Sequence, residues 1–206
     1  MELLVASTNP HKLREFAQIL APHGVVVRGL DDGAALPPPN EDAETFLGNA
    51  RIKAVTYARA VRQLCLADDS GLEVDGLGGA PGVRSARYAG VGGSRDERDR
   101  ANNTKLIAEL TARPLAARSA RLVCALCVAD ELGNVLFETC ASLAGEIVDD
   151  ARGGHGFGYD THLWLLDVGK TAAELSPLEL NERSHRGKAS RALLQWLELR
   201  GWLSSV

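Results

Sequence analysis

The sequence lacks any apolar run that approaches the roughly 20 residues a membrane-spanning helix requires. Its first residues, Met1-Glu2-Leu3-Leu4-Val5, contain no basic segment and no long apolar stretch, so we expect no signal peptide. These absences exclude the transmembrane class. They predict a cytoplasmic protein that has no membrane partner.

An excess of positive charge is also missing. Lys and Arg number 23 against 27 Asp and Glu, which gives a formal net charge of −4. A protein that holds nucleic acid by bulk charge needs the opposite balance, so we expect no nucleic-acid partner. The balance still permits a small anionic ligand held by a few well-placed cations.

The four cysteines do not form a recognisable metal framework. Cys124 and Cys127 have C-x-x-C spacing, which is compatible with zinc or redox chemistry, but no second such pair exists. The segment 120–129 is predicted to be a strand, in which residues three apart point to opposite faces. With Cys65 and Cys140, they are therefore interpreted as buried thiols in a reducing cytoplasm.

Two common catalytic motifs are absent as well. Gly169-Lys170-Thr171 ends like a phosphate-binding loop, but Trp164 stands where that motif requires its first glycine. There is no G-x-S-x-G, so nothing indicates a serine hydrolase.

What the chain does have is a size and a pattern typical of mixed α/β proteins. Its 206 residues, of which 45% are apolar, suffice for one large domain or two small lobes. Helical and strand periodicities alternate early, and a strand-rich stretch occupies the middle. Strands are predicted at 3–6, 25–27, 64–67, 122–128, 135–143, 145–148 and 163–166, and helices at 10–21, from 45, from 94 to about 110, and up to about 201. This order permits two lobes with a cleft between them.

The first candidate site is Ser7-Thr8-Asn9-Pro10-His11-Lys12, between the first strand and the first helix. Asn9 is a good N-cap and Pro10 suits the first helical position. A helix that starts directly after a strand presents free N–H groups that attract phosphate. Lys12 opposes the helix dipole, a conflict that a bound anion would resolve. The alternative is a surface turn with a solvated lysine.

The second candidate is Asp68-Asp69-Ser70-Gly71, predicted at the end of a strand. Adjacent strand residues face opposite ways, so at most one of the two carboxylates is expected to point into a given site. A carboxylate in this place suits a Mg²⁺ ligand or a general base. The alternative is a turn in which Asp serves as turn former or helix cap.

A further acidic group precedes the second helix, which Thr45 opens. It comprises Glu41, Asp42 and Glu44, and Lys53 follows on the helix itself. Lys53 is placed so that it can face the same site as these carboxylates. The alternative for all four is a solvated surface.

Two motifs near the C-terminal end suit recognition of a purine base. In the glycine-rich segment 153–160, Phe157 and Tyr159 offer a stacking face, Gly158 permits close approach, and Asp160 offers an acceptor. Ser184-His185-Arg186-Gly187 supplies Arg186, a planar donor. The alternatives are a turn with a core aromatic residue, and a His185 that only begins a helix.

Taken together, these motifs resemble the inosine triphosphate pyrophosphatase family, whose members hydrolyse non-canonical purine nucleoside triphosphates. The matching segments occur in the family's order and span nearly the whole chain. They are Ser7-Thr8-Asn9-Pro10-His11-Lys12 with Glu15, Thr45-Phe46-Leu47-Gly48-Asn49-Ala50 with Lys53-Ala54, Ala67-Asp68-Asp69-Ser70-Gly71-Leu72, Leu77-Gly78-Gly79-Ala80-Pro81-Gly82, Ser85-Ala86-Arg87-Tyr88, Phe157-Gly158-Tyr159-Asp160, Lys170-Thr171-Ala172-Ala173-Glu174-Leu175 and Ser184-His185-Arg186-Gly187.

The resemblance implies an α/β fold in which two lobes of a single domain, residues 1–206, surround a long central mixed β-sheet with a nucleotide-binding cleft. It implies hydrolysis of dITP, ITP and XTP to the monophosphate and pyrophosphate, with Mg²⁺ as cofactor. It also implies a homodimer whose small-molecule partner is the purine nucleoside triphosphate.

The resemblance also assigns roles to individual residues. Asp69 would be the general base, with Ser70 beside it, and Asp69 and Glu41 would contact the metal. The triphosphate would be held by Ser7, Thr8, Asn9, Pro10, His11, Lys12 and Lys53. The purine would be surrounded by Phe157, Gly158, Tyr159, Asp160, His185 and Arg186.

The chain departs from the family pattern at three positions. Leu180 stands where the family usually has a substrate-contacting lysine, and Arg183 is the candidate replacement. His155 replaces a threonine and Thr161 a proline, so base preference or loop rigidity can differ from the family norm. Two alternative functions stay open: a nucleotide sensor without turnover, and a pyrophosphatase for modified pyrimidine nucleotides.

Overall fold

The computed structural model describes residues 1–30 and 36–203. Helices and strands alternate in the first half of the chain and a strand-rich stretch follows, as the sequence predicts. In chain order they are β1 (Glu2–Val5), α1 (Pro10–Leu20), β2 (Val26–Arg28), α2 (Phe46–Val61), β3 (Cys65–Val74), α3 (Arg95–Thr111), β4 (Ser119–Ala129), β5 (Val135–Ile147), β6 (Leu163–Leu165), β7 (Lys170–Thr171), α4 (Pro177–Arg183) and α5 (His185–Leu199).

The seven strands form one mixed sheet in the order β2-β1-β3-β4-β5-β6-β7. At one end β1 pairs in parallel with both β2 and β3. At the other end β6 pairs antiparallel with both β5 and β7. The predicted α/β class and long mixed sheet are therefore confirmed.

The chain divides into two compact units, and β3, β4 and β5 each contribute residues to both. Unit 1 comprises the described residues of Met1–Asp69, Cys124–Ala141 and His185–Val206. Unit 2 comprises Ser70–Val123 and Ser142–Ser184.

Each unit has its own hydrophobic core. In unit 1, Phe16 and Leu20 of α1 pack with Leu193 and Leu197 of α5 against strand residues. In unit 2, the buried residues of β3, β4, β5 and β6 pack with Leu106 and Leu110 of α3. The apolar residues of each helix thus lie on one face, which fixes how that helix packs on its unit.

The predicted end of the third strand is wrong. β3 continues through Asp68, Asp69 and Gly71 as far as Val74 instead of turning. The two acids are tolerated in mid-strand because each is paired with a cation. Gly71 is required there because a Cβ would lie 2.3 Å from the hydroxyl of Ser85.

Other boundaries differ less. The predicted strand at 145–148 is the end of β5 and not a separate element, while α4 and β7 were not predicted. The helix predicted from residue 94 is present as α3, with Ser94 as its N-cap. α4 begins at Pro177 and has only seven residues, so its helical periodicity is too brief to be recognised in the sequence.

The four cysteines are free thiols, and Cys65, Cys124 and Cys127 are buried as predicted. The prediction of burial is wrong for Cys140, which is exposed. Cys124 and Cys127 are both buried because residues on both faces of β4 are covered. None of the described helices has the length and apolarity needed to cross a membrane.

Candidate active site

The turn between β1 and α1 is stabilised by its own side chains. Oδ1 of Asn9 accepts from the backbone N–H of His11 at 3.0 Å, so Asn9 is the N-cap that the sequence predicts. Oγ of Ser7 accepts from the N–H of Asn9 at 3.1 Å. Asn9 is buried, whereas Thr8 and Pro10 are exposed. The turn is therefore preformed, with its outer residues accessible.

Lys12 in the first turn of α1 is neutralised by a carboxylate of the protein. Its Nζ lies 2.9 Å from Oδ1 of Asp68, 56 residues further along the chain. This ion pair resolves the conflict between the lysine and the helix dipole that the sequence left to a bound anion. Lys12 therefore has a partner before any ligand arrives.

Asp68 is the most enclosed carboxylate of this site. It is 1% exposed and lies 3.4 Å from the guanidinium of Arg186, in addition to its contact with Lys12. Burial alone would raise its pKa, but the charges of Lys12, Arg186 and Lys53 outweigh that effect and hold the pKa of Asp68 well below its ordinary value. Asp68 is therefore ionised and serves to anchor two cations.

Asp69 faces a different set of partners, as the alternation along a strand requires. Its Oδ1 lies 2.8 Å from Nζ of Lys53, and its Oδ2 accepts from the amide of Asn49 at 3.3 Å. Burial raises the pKa of Asp69 above its ordinary value, although the charge of Lys53 acts in the opposite direction. Its side chain is still 13% exposed, so Asp69 is the more accessible and more basic of the two acids.

Asn49 and Lys53 reach Asp69 together because they lie four residues apart on one face of α2. The helix begins after Thr45, whose side chain accepts from the N–H of Gly48. Nζ of Lys53 also lies 2.9 Å from Oε2 of Glu41. Burial would lower the pKa of Lys53, but the nearby carboxylates of Asp69, Asp68 and Glu41 raise it, so the lysine is charged.

The two predicted metal ligands therefore meet at one point. Glu41 and Asp69 each place a carboxylate oxygen within 3 Å of the same ammonium nitrogen of Lys53. In the described ranges no group of three or more His, Cys, Asp or Glu side chains is arranged to hold a metal. Two converging carboxylates nevertheless suit Mg²⁺, which often takes one or two protein carboxylates and completes its shell with water and phosphate oxygens.

His185 and Arg186 are the first residues of α5, as one interpretation of the sequence allowed. Arg186 is 1% exposed and pairs with Glu15 as well as with Asp68. Burial opposes its charge, but the carboxylates of Glu15 and Asp68 raise its pKa further. Arg186 therefore holds α1 and β3 together, and its contact with a purine stays a prediction.

His185 is buried in a neutral form. Burial first, and the charge of Arg186 second, lower the pKa of its imidazole well below the ordinary value. Its Nδ1 has no hydrogen-bond partner among the residues that the structure describes. An imidazole that is buried, uncharged and unsatisfied at one nitrogen is suited to receive a polar group of a ligand.

The predicted base-binding segment belongs to unit 2. Tyr159 is 6% exposed, its ring lies in the core of that unit, and its hydroxyl donates to the carbonyl of Ser85 at 2.9 Å. Oδ2 of Asp160 accepts from the N–H of Phe157 at 2.8 Å. Of the two predicted stacking rings, only that of Phe157 is partly exposed. Tyr159 and Asp160 hold the segment in shape.

The remaining predicted positions also have clear placements. Ser70 is half-buried and follows Asp69 on β3. Leu180 is 7% exposed in the core of unit 2, and Arg183 pairs with Asp167 on the surface. An apolar side chain thus fills the place at which the family pattern has a lysine.

Sequence reasoning assigned no role to Asn49 and did not identify what Glu15 contacts. The signal for Asn49 was its spacing of four residues from Lys53 on a predicted helix. No local pattern announces the pair between Glu15 and Arg186, because 171 residues separate them.

The chain matches the family model described as the Ham1 family over residues 3–196. A dITP/XTP pyrophosphatase of Geobacillus kaustophilus (strain HTA426) is 45% identical over 201 residues, which cover 97% of this chain and 96% of that protein. Another from Bacillus subtilis (strain 168) is 41% identical over 197 residues, 96% of this chain and 97% of that protein.

Solved structures agree with these relatives. A HAM1 protein from Coxiella burnetii superimposes with a TM-score of 0.86 at 34% identity, covering 97% of this chain and 99% of that one. The Ham1 protein of Staphylococcus aureus gives a TM-score of 0.83 at 34% identity, covering 97% of this chain and 100% of that one. Matches of this length and identity confirm the resemblance drawn from the motifs, and the chain belongs to the Ham1 family.

Proposed function

We propose that this protein hydrolyses non-canonical purine nucleoside triphosphates (dITP, ITP and XTP) to the monophosphate and pyrophosphate. Two relatives named dITP/XTP pyrophosphatase, at 41–45% identity over almost the whole chain, support this assignment. The observation that carries it is a pair of acids on β3 in unit 1: Asp68 pairs with Lys12, and Asp69 pairs with Lys53. Lys12 lies in the first turn of α1, whose N-terminus is capped by Asn9.

In this proposal the triphosphate lies on Ser7-Thr8-Asn9-Pro10-His11-Lys12. Lys12 and Lys53 neutralise its charge, exchanging a carboxylate partner for phosphate oxygens. Each lysine is already held in place by an aspartate, so little side-chain entropy is lost when the ligand binds. Positioned cations of this kind supply much of the catalysis in phosphoryl transfer.

Asp69 is the better of the two acids for a general base. Asp68 has a depressed pKa and is enclosed by Lys12 and Arg186, so its carboxylate is a weak base. Asp69 has a raised pKa and remains partly accessible. Asp69 takes a proton from water, the water oxygen bonds to the α-phosphorus, and the α–β bridging bond breaks to release pyrophosphate. A positioned general base contributes about 10²–10⁴-fold to such a step.

Glu41 and Asp69 are the residues that would hold Mg²⁺ in this proposal. When bound, the ion supplies charge neutralisation for the phosphate oxygens and for the leaving pyrophosphate. The shared contact of both carboxylates with Lys53 supports the assignment, because it places two anionic oxygens around one cationic centre.

Selectivity in this proposal comes from the 6-oxo group of the purine. A donor facing that oxygen is satisfied by hypoxanthine or xanthine and is left unpaired by adenine. A buried donor without a partner costs about 1–3 kcal/mol, so strong exclusion of ATP requires more than one such contact. Phe157, Gly158, Tyr159, Asp160, His185 and Arg186 are the residues proposed to surround the base, with Ser70 beside Asp69.

The test is pyrophosphate release from ITP, XTP, GTP and ATP in the presence of Mg²⁺, compared as kcat/KM. We expect ITP and XTP to exceed ATP and GTP. Equal values for all four would contradict the proposal, and no turnover of any of them would favour a sensor. Preferential hydrolysis of dUTP or TTP would instead favour a pyrimidine house-cleaning enzyme.

We further propose that both units form one functional domain over 1–206, and that the protein works as a cytoplasmic homodimer. Solution scattering or sedimentation would measure the oligomeric state directly. A monomer at working concentrations would contradict the dimer without affecting the proposed reaction.

A further inference from the structure

Two side chains of α3 hold one residue of the glycine-rich segment, Gly158, through both its backbone N–H and its backbone carbonyl. Oδ2 of Asp99 accepts from the N–H of Gly158 at 3.2 Å. Nδ2 of Asn103 donates to the carbonyl of the same residue at 2.9 Å. We call Asp99 and Asn103 the Gly158 clamp. All three residues belong to unit 2.

The clamp residues lie four positions apart, so they project from the same face of α3. The helix itself is firmly placed in unit 2. Its N-terminus carries a capping box formed by Ser94 and Glu97, and Leu106 and Leu110 are buried in the core. Because α3 is fixed in the core, its side chains can hold the glycine-rich segment in a defined position.

The segment contains several glycines in the left-handed backbone region, which other residues rarely adopt. Gly153, Gly156 and Gly158 all have positive φ, at 85°, 76° and 64°. A Cβ at Gly156 would lie 2.2 Å from Oδ2 of Asp160, so a side chain is excluded there. Glycines are conformationally free, so contacts with surrounding residues must select this one arrangement.

Other contacts hold the residues around Gly158, among them the hydrogen bond from the Phe157 N–H to Asp160. The carbonyl of Ala173 accepts from Gly154 and His155 at the beginning of the segment, and Tyr159 is tied by its hydroxyl to Ser85 at the end. Between these anchors, Asp99 and Asn103 hold Gly158, the residue that follows Phe157, and Phe157 carries the partly exposed ring of the segment.

The carboxylate of Asp99 is also well matched to this contact. It is half-buried, and burial raises its pKa, while the hydrogen bond from the Gly158 N–H acts in the opposite direction. The amide therefore compensates a partly desolvated charge, which makes the hydrogen bond stronger than one between neutral groups.

We propose that Asp99 and Asn103 are positioning residues that fix Phe157 and Gly158 for recognition of the purine. This inference rests on the proposed function, in which residues 157–160 surround the base. Neither residue needs to touch the substrate. Each acts through a backbone group of Gly158, so its loss should weaken nucleotide binding and leave the phosphate chemistry of unit 1 in place.

The variants that test it are Asp99→Ala and Asn103→Ala, with Asp99→Asn as the conservative form that keeps an acceptor oxygen. Asp96→Asn is the matched control, because Asp96 is exposed on the same helix and loses the same charge. Three quantities are measured for each: KM for ITP, kcat with Mg²⁺, and the hydrogen-exchange rate of the Gly158 amide.

We expect both alanine variants to raise KM for ITP roughly ten-fold and to accelerate exchange of the Gly158 amide by a similar factor. We expect kcat to stay within about three-fold of the wild type, since the lost interaction concerns binding and not the reacting atoms. Asp99→Asn should fall between the wild type and Asp99→Ala. The Asp96→Asn control should change none of the three.

An unchanged KM in either alanine variant, whatever happens to kcat, would overturn the proposal, and so would an unchanged exchange rate of Gly158. A wild-type protein that releases no pyrophosphate from ITP would contradict the proposed function instead. In that case the exchange rate, which requires no activity, still decides whether the clamp holds Gly158.

Discussion

The ammonium of Lys53 lies 2.8 Å from Oδ1 of Asp69, and both side chains are largely buried. Lys53 on α2 and Asp69 in the middle of β3 thus form one charged pair. Burial raises the pKa of Asp69, and the charge of Lys53 acts in the opposite direction. The pair also fixes the direction in which the carboxylate points, which is what a general base requires.

Asp69→Asn should lower kcat for ITP by at least about 10²-fold, because an amide cannot accept the proton of water. The melting temperature should stay close to that of the wild type, since the amide still accepts from Lys53. Asp42→Asn is the control, as Asp42 is an exposed acid near Glu41. Steady-state kinetics with thermal unfolding check both, and full activity of Asp69→Asn would remove this residue from the mechanism.

Asp68→Asn should act mainly on stability. Its removal takes a carboxylate partner from the buried Arg186, and breaking a buried ion pair from one side costs about 3–5 kcal/mol in the free energy of unfolding. Asp149→Asn removes an acid paired with Arg118 on the surface and should change stability little. Urea unfolding at pH 7 measures both, and equal losses would contradict the structural role of Asp68.

Stability should also depend on pH through Asp68. Its pKa in the folded protein lies below the ordinary value of 3.8. The stabilising contribution of Asp68 is therefore complete above about pH 5, and it is lost progressively as the pH falls below 3.8 toward the pKa of the folded protein. Unfolding free energies measured between pH 7 and pH 3 should therefore fall more steeply for the wild type than for Asp68→Asn. Parallel curves would show that Asp68 is not the group responsible.

Glu41→Gln should raise the Mg²⁺ concentration needed for half-maximal activity by roughly ten-fold or more, because it removes one of two converging carboxylates. Glu44→Gln is the matched control, since Glu44 is exposed in the same acidic group. Metal titration of pyrophosphate release is the measurement. Activity that persists in excess EDTA would exclude the metal requirement altogether.

Leu180→Lys should destabilise the protein, although a lysine fits the family pattern at this position. Leu180 is 7% exposed in the core of unit 2, and burying an ammonium there without a partner is unfavourable. We expect a fall of several degrees, about 2–8 °C, in melting temperature. Leu178→Lys on the same helix is the control, because Leu178 is 69% exposed. A stable Leu180→Lys variant would show that this helix accommodates the charge.

Much of the candidate site was accessible to sequence reasoning because the contacts involved are local. The capping of α1 by Asn9 and the opposite directions of Asp68 and Asp69 follow from rules that span a few residues. The predicted end of the strand at Asp68 was wrong for the same reason: a local rule assigns acids to turns, whereas Lys12 and Arg186 neutralise this one within the strand.

The sequence by itself determined the α/β class, the capped helix after β1 and the set of charged and aromatic residues that the family motifs carry. Only the tertiary structure decided which charge meets which. In the folded protein Lys12 pairs with Asp68, and Lys53 pairs with both Glu41 and Asp69. The ring of Tyr159 lies in the hydrophobic core of unit 2. Ion pairs and burial join residues that are distant along the chain, and they depend on how helices pack on the sheet, which no pattern of neighbouring residues encodes.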